Sequence, residues 1–292
     1  MRVLLTGGTG YIGAAVLDRL ISGGHQVTAV VRSAEKAELV RAKGVEPAVA
    51  DLADGDTLEE LAAASEGVIH VASPGDETSA TVDEVAVTSF LRALRDTDRP
   101  FVHTTGVWLH GSGSAITESS GMNPPRLTAW RVPLGTLVRD AQNVRTSVIA
   151  PAVVYGHGGG LLNLVAAGPR TAGNTPALTM IGPGDQHSEA CWSRRRASPS
   201  RPSRSSVCTT GSGSTRPARP TERLTASVIS RTVGFAPPAP MKYEPAGAFS
   251  SASTYSSARS STCTVLGDRA RRVLGWSPTG PSVLDDIART DF

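Results

Sequence analysis

The first half of the chain switches between two hydrophobic periods. Val3-Leu4-Leu5 is a short apolar run that ends at Thr6 and a glycine cluster, which predicts a buried strand. From Ala14 to Ile21 the apolar residues recur at helical spacing, and Val27–Val31 is again a strand-like run. The same alternation continues down the chain. Ala34–Ala42 is helix-like, Val45–Ala50 extended, Leu58–Ala64 helical and Val68–Val71 a strand. Val82–Arg95 is a longer helix, Phe101–Thr104 a strand, Trp130–Gln142 a helix with Pro133 near its first turn, and Thr146–Ala150 a strand. Such alternation implies an α/β fold, with a parallel sheet covered by helices on both faces.

The pattern fails farther on. Between residues 191 and 265, Ser, Arg, Thr and Pro number 17, 10, 9 and 8. A stretch such as Ser193-Arg194-Arg195-Arg196-Ala197-Ser198-Pro199 cannot offset the entropy of ordering by burying apolar surface. Only Leu224–Phe235 has helical character there. Ala270–Pro278 ends as a helix should, with Gly275 and Pro278 as stop signals. This divides the chain into a nucleotide-type domain over 1–160 and a small, poorly specified lobe over 161–292, low in complexity across 188–265. Two origins fit that stretch. One is a compensated frameshift in GC-rich DNA; the other is a basic disordered insert.

Charge adds to the contrast. The overall net charge is +3, but residues 191–265 carry 10 Arg and 1 Lys against 2 Glu, so the remainder is acidic. The basic window holds five aromatic residues at irregular spacing, too sparse for a base-stacking platform, so a nucleic-acid partner is not expected. All three cysteines (Cys191, Cys208, Cys263) lie in the same window, in no zinc-binding spacing, and no metal is expected. No apolar run reaches the roughly 18 residues of a membrane span. The start of the chain reads directly into a strand, so the expected location is cytoplasmic.

The candidate chemistry begins at Gly7-Gly8-Thr9-Gly10-Tyr11-Ile12-Gly13. Here three glycines at GxxGxxG spacing join a strand to a helix. One permits a sharp turn, one a close approach to a pyrophosphate, and one tight packing of helix on strand. The helix tip then offers unpaired N–H groups and a positive dipole end to an anion. The expected fold is a Rossmann-type doubly wound sheet that binds NAD or NADP. At the end of the second strand stands Arg32, with Lys36 one turn on, where NAD enzymes place an acid for the ribose hydroxyls. A guanidinium suits a 2′-phosphate, so NADP is the expected cofactor, with NAD the alternative.

Together these residues resemble the atypical or extended short-chain dehydrogenase/reductases, the NAD-dependent epimerase/dehydratase group. The resemblance is carried by Thr6–Gly13, Asp51-Leu52, His70-Val71-Ala72-Ser73, Phe101–Trp108, Pro151–Gly156 and Leu274–Pro278. It implies that Asp51 bonds the adenine amino group and Leu52 packs on its ring. Ala72 and Ser73 would line the ribose side, with Thr104 and Pro151 as further cofactor contacts. The chain departs from the group in lacking Tyr-x-x-x-Lys. Leu127 falls at the Tyr position and Arg131 at the Lys position. Thr105, Arg131 and Tyr155 are therefore the candidate catalytic residues, with His157 a further possible proton donor. Arg131 and Thr105 would orient a substrate oxygen, although an arginine cannot act as a neutral acid or base near pH 7.

The reading that follows is an NAD(P)-dependent oxidoreductase acting on a small carbonyl or hydroxyl compound. The alternatives are a nucleotide-sugar epimerase or dehydratase and a non-catalytic, NADP-sensing regulatory protein.

Overall fold

A computed structural model describes residues 1–156 continuously and, beyond them, 159–160, 179–180, 190–193, 233–236, 244–245, 263–265 and 272. A six-stranded parallel sheet organises the first part. Its strands are β1 (Arg2–Thr6), β2 (Gln26–Val31), β3 (Glu46–Val49), β4 (Gly67–His70), β5 (Pro100–Thr104) and β7 (Arg145–Ile149), and a short strand, β6 (Gly113–Ile116), lies outside the sheet. The spatial order is β3-β2-β1-β4-β5-β7. The order therefore reverses between β1 and β4, and in open α/β sheets the crevice at the strand ends there is where a ligand binds.

Both faces are buried because the strand residues point alternately up and down. Val3 and Leu5 join a core with Val16, Leu17 and Leu20 of α1 (Tyr11–Ser22) and with Ala37 and Val40 of α2 (Ala34–Arg41). Leu4 faces the other way. It packs with Leu58 and Ala62 of α3 (Gly55–Ala63), with Val87, Phe90 and Leu94 of α4 (Ser79–Leu94), and with Leu134 and Val138 of α5 (Arg131–Asp140). Helix starts are fixed locally. The Ser33 hydroxyl accepts the Lys36 N–H at 3.3 Å, and Asp54 accepts the Thr57 N–H at 3.2 Å.

Every element expected over residues 1–150 is present, with ends shifted by a few residues. Periodicity did not reveal the 3-10 turn Val107–His110 or strand β6. Strand β8 (Val153–Gly156) leads away from the main sheet. It pairs with β9 (Gly159–Gly160) and with β11 (Ala190–Ser193), which in turn pairs with β12 (Val233–Ala236), while β10 (Thr179–Met180) pairs with residues 244–245. The helical reading of Leu224–Phe235 is corrected at its end, since residues 233–235 lie in β12. The Val-Gly-Phe segment forms an extended ladder there, and tertiary pairing overrides the local pattern. Most of 161–292, including most of the 188–265 stretch and the Gly275 and Pro278 stop signals, lies outside the described residues, as does His157.

Candidate dinucleotide site

The chain turns from β1 into α1 at the predicted glycines. Gly7 has φ +74°, which a residue with a Cβ adopts only at a cost. A Cβ on Gly7 would also lie 2.9 Å from the Ala72 nitrogen, so the turn sits directly against the end of β4. Gly13 is held tighter still: its Cβ would lie 1.9 Å from the Gly7 carbonyl oxygen. Gly10 caps α1 with no side-chain hydrogen bond, and the first turn holds no acidic residue. The first intrahelical bond runs from Ala14 N–H to Gly10 O, at 2.8 Å. The amides of Tyr11, Ile12 and Gly13 precede it and suit an anion. Thr9 and Gly10 are exposed at the tip, Ile12 packs on the core, and the Tyr11 hydroxyl donates to the Gly156 carbonyl at 2.6 Å. These residues fit a diphosphate.

In such a fold an adenylate would lie over β2 and β3. Arg32 is exposed at the end of β2, and Lys36 is half-buried in the first turn of α2. In the loop after β4, hydrogen bonds from Thr78 hold the Asp76 carboxyl below its usual range, and Arg32 adds to this effect. Asp51 is exposed after β3, where one carboxylate oxygen accepts the Ala53 N–H at 2.8 Å. Leu52 is only 7% exposed and belongs to the core beside Val30 and Leu58. Its side chain serves the sheet face and offers little free surface to a ring.

The opposite half of the cleft lies over β4 and β5. Ala72 is half-buried and Ser73 exposed. The Arg131 guanidinium, at the start of α5, donates to Ser73 Oγ at 3.3 Å and lies 4.2 Å from the Trp130 ring centroid. Burial lowers the Arg131 pKa, and the Asp83 carboxylate opposes that shift. Thr104 ends β5 and Thr105 follows it. Their hydroxyl oxygens are buried without a hydrogen-bond partner among the described residues, while the Thr105 N–H donates to Ile149 O at 2.7 Å. Pro151 is buried and accepts the Val107 N–H through its carbonyl. Leu127 is exposed. Tyr155 is enclosed in β8 with 0% exposure. It is a packing residue there, which corrects the expectation of a phenol open to a substrate.

Sequence reasoning missed the buried polar groups beneath Arg131. Asp83 of α4 is 1% exposed; its Oδ2 lies 3.6 Å from Arg131 Nη1 and its Oδ1 3.6 Å from His70 Nε2. His70 Nδ1 lies 2.6 Å from Thr6 Oγ1, and the His70 ring stacks on His103 at 5.8 Å. A signal was present. Asp83 shares the apolar stripe of Ala86, Val87, Phe90 and Leu94, at spacings of 3, 4, 7 and 11 residues, where an acid needs a partner.

Known proteins resemble this chain in part of its sequence and in its fold. Residues 7–99 match the NAD(P)H-binding family. An uncharacterized protein of Schizosaccharomyces pombe is 34% identical over 165 residues, covering 54% of this chain and 56% of that protein. The 4-hydroxy-2-methyl-3-oxo-4-farnesyl-3,4-dihydroquinoline-1-oxide ketoreductase of Stigmatella aurantiaca is 40% identical over 73 residues, covering 25% of this chain and 22% of the enzyme. The chain thus spans about half or less of the length of the curated relatives it matches. Among solved structures, the dTDP-glucose 4,6-dehydratase of Streptomyces venezuelae, crystallised with NAD and TYD, superposes with a TM-score of 0.67. It is 15% identical and covers 99% of this chain and 95% of its own. With its glycine turn and strand order the chain has a Rossmann-like fold, shared with the dehydratase structure, and its residues 7–99 are similar to an NAD(P)H-binding domain.

Proposed function

We propose that this protein is an NADP-preferring oxidoreductase acting on a small carbonyl or hydroxyl compound. The observation that supports the reading is that Arg32 follows β2 and Arg131 begins α5, on either side of the point where the strand order reverses. Arg32 stands at the end of β2, where a 2′-phosphate would lie, and Arg131 stands beside Ser73 on the β4 side. A nicotinamide bound between them supplies hydride transfer. The β4 side would take the nicotinamide end, where Arg131 would bond the nicotinamide ribose at the Ser73 edge and hold a substrate oxygen by charge and hydrogen bonding, and Thr105 would add a hydroxyl donor. Neither can exchange a proton as the phenol of Tyr-x-x-x-Lys does, so the proton would come from water or from the substrate. The ketoreductase relative supports a reductase over an isomerase that keeps its nucleotide bound.

Two measurements test the proposal. Calorimetric titration is expected to show tighter binding of NADPH than of NADH, and NADPH is expected to be consumed with at least one member of a carbonyl panel. Equal affinities would defeat the cofactor assignment. Tight NADPH binding with no turnover on any carbonyl would favour a sensor, and a tightly held NAD that cycles without net consumption would favour an epimerase or dehydratase.

A further inference from the structure

A line of buried polar groups joins the two halves of the cleft from below. At one end, the Ala72 N–H donates to Thr6 Oγ1 at 3.4 Å, next to the Gly7 turn. The Thr6 hydroxyl has one hydrogen, which it can give to His70 Nδ1 at 2.6 Å. The proton of a neutral His70 then sits on Nε2, facing Asp83 Oδ1 at 3.6 Å. The other Asp83 oxygen faces Arg131 Nη1 at 3.6 Å, and Arg131 Nη2 reaches Ser73 Oγ at 3.3 Å. Neither Asp83 Oδ1 nor His70 Nε2 has a hydrogen-bond partner among the described residues.

We propose that Asp83 is a positioning residue of the dinucleotide site: its sealed carboxylate, shared between His70 and Arg131, fixes the Arg131 guanidinium at the Ser73 edge of the cleft. A long side chain at a cleft mouth otherwise loses rotamer freedom when a ligand arrives, and a fixed one has met that cost in advance. Asp83 touches no ligand itself, because it is 1% exposed beneath the site. It acts through Arg131, whose side chain is 20% exposed. The inference rests on the proposed reading that the β4 side of the cleft takes the nicotinamide end.

The test uses the full chain and two ligands, NADPH and 2′,5′-ADP, which has the adenylate half alone. Asp83→Asn is expected to weaken NADPH by about tenfold or more. It should leave 2′,5′-ADP within about twofold and cause no further loss in an Arg131→Ala background. Equal weakening of both ligands, no weakening, or additive losses would overturn the proposal. A native chain that binds neither ligand would instead overturn the site itself. Should Asp83→Asn fail to fold, Arg131→Ala supplies the second measurement. Freed of its cation, the Asp83 carboxylate should shift the His70 ring nitrogen resonances, and unchanged resonances would refute the shared carboxylate.

Discussion

Replacing Gly13 with alanine tests the phosphate cradle most directly. The added Cβ would meet the Gly7 oxygen at 1.9 Å, the Gly7 carbonyl carbon at 2.5 Å and the Gly8 nitrogen at 3.1 Å. Ordinary contact begins at 3.4 Å, so the oxygen lies 3.4 minus 1.9, or 1.5 Å, too close. All three atoms are main chain, and no flexible side chain can move aside. The turn and the first turn of α1 must separate by about an ångström. The unliganded fold is strained as well: overpacking costs about 1–3 kcal/mol or more, partly offset by about 1 kcal/mol from the better helix propensity of alanine. Binding should suffer more, because the displaced amides are those that would face a diphosphate. A hydrogen bond to a charged group contributes about 1.5–3 kcal/mol, so losing one or two costs about 3 kcal/mol, roughly a hundredfold in Kd. At an NADPH concentration of about 100 times the native Kd, the native chain gains about 2.7 kcal/mol, and the variant, then near its own Kd, only about 0.4 kcal/mol. Melting with and without NADPH, together with a fluorescence titration, reads both quantities. Gly24→Ala is the control. Gly24 also has φ +74°, but a Cβ there meets nothing within 4 Å. It should lose about 1–2 kcal/mol of stability and keep its Kd. A Gly13→Ala chain that binds NADPH with native affinity would refute the cradle.

Two further outcomes are expected. Arg32→Glu should weaken NADPH by about ten- to a hundredfold and leave NADH unchanged or tighter, with the difference shrinking at high salt because Arg32 is exposed; parallel titrations at two ionic strengths check this. His103 is sealed in β5, and burial first, then His70 and Arg131, lower its pKa from 6.5 to about 3. Since the folded value is the depressed one, the contribution is complete above about pH 6.5 and is lost as pH falls from there toward 3, by about 1.4 kcal/mol per unit for one proton. Denaturant unfolding across that range should show a shallower slope in His103→Phe than in the native chain, and identical slopes would remove His103 as the source.

How much of this was legible in advance follows from where each signal lives. The first strand, the glycine turn and the start of α1 were readable because their determinants are local. Gly7 and Gly13 are six residues apart and meet each other directly. The position of Arg32 at the end of β2 was readable for the same reason, standing one residue before the Ser33 cap of α2. Leu52 and Tyr155 were misjudged because burial is a tertiary property. The sequence neighbours of Leu52 are loop residues, yet its side chain closes the core over β2. Beyond residue 156, the composition of the 191–265 window suppresses both periods on which such reading depends.

The polar line under the cleft shows why the second half of the site resisted the same approach. Thr6, His70, Asp83 and Arg131 come from β1, β4, α4 and α5, and their closest pairs are separated by 13 to 64 residues in sequence. No short motif could encode such a contact set. What the sequence does carry is a set of local contradictions: a histidine inside the apolar run Val68-Ile69-His70-Val71, another in Phe101-Val102-His103, and an acid on the buried stripe of α4. Each is costly to bury alone. Parallel pairing aligns His70 with both Thr6 and His103 in the register of the sheet, and α4 then lays Asp83 across them. Two of these contradictions answer one another: the acid on α4 is met by the histidine of β4 on one side and by Arg131 on the other. A buried polar residue with no local partner is therefore a pointer to a distant one, and here that partner reaches the cleft.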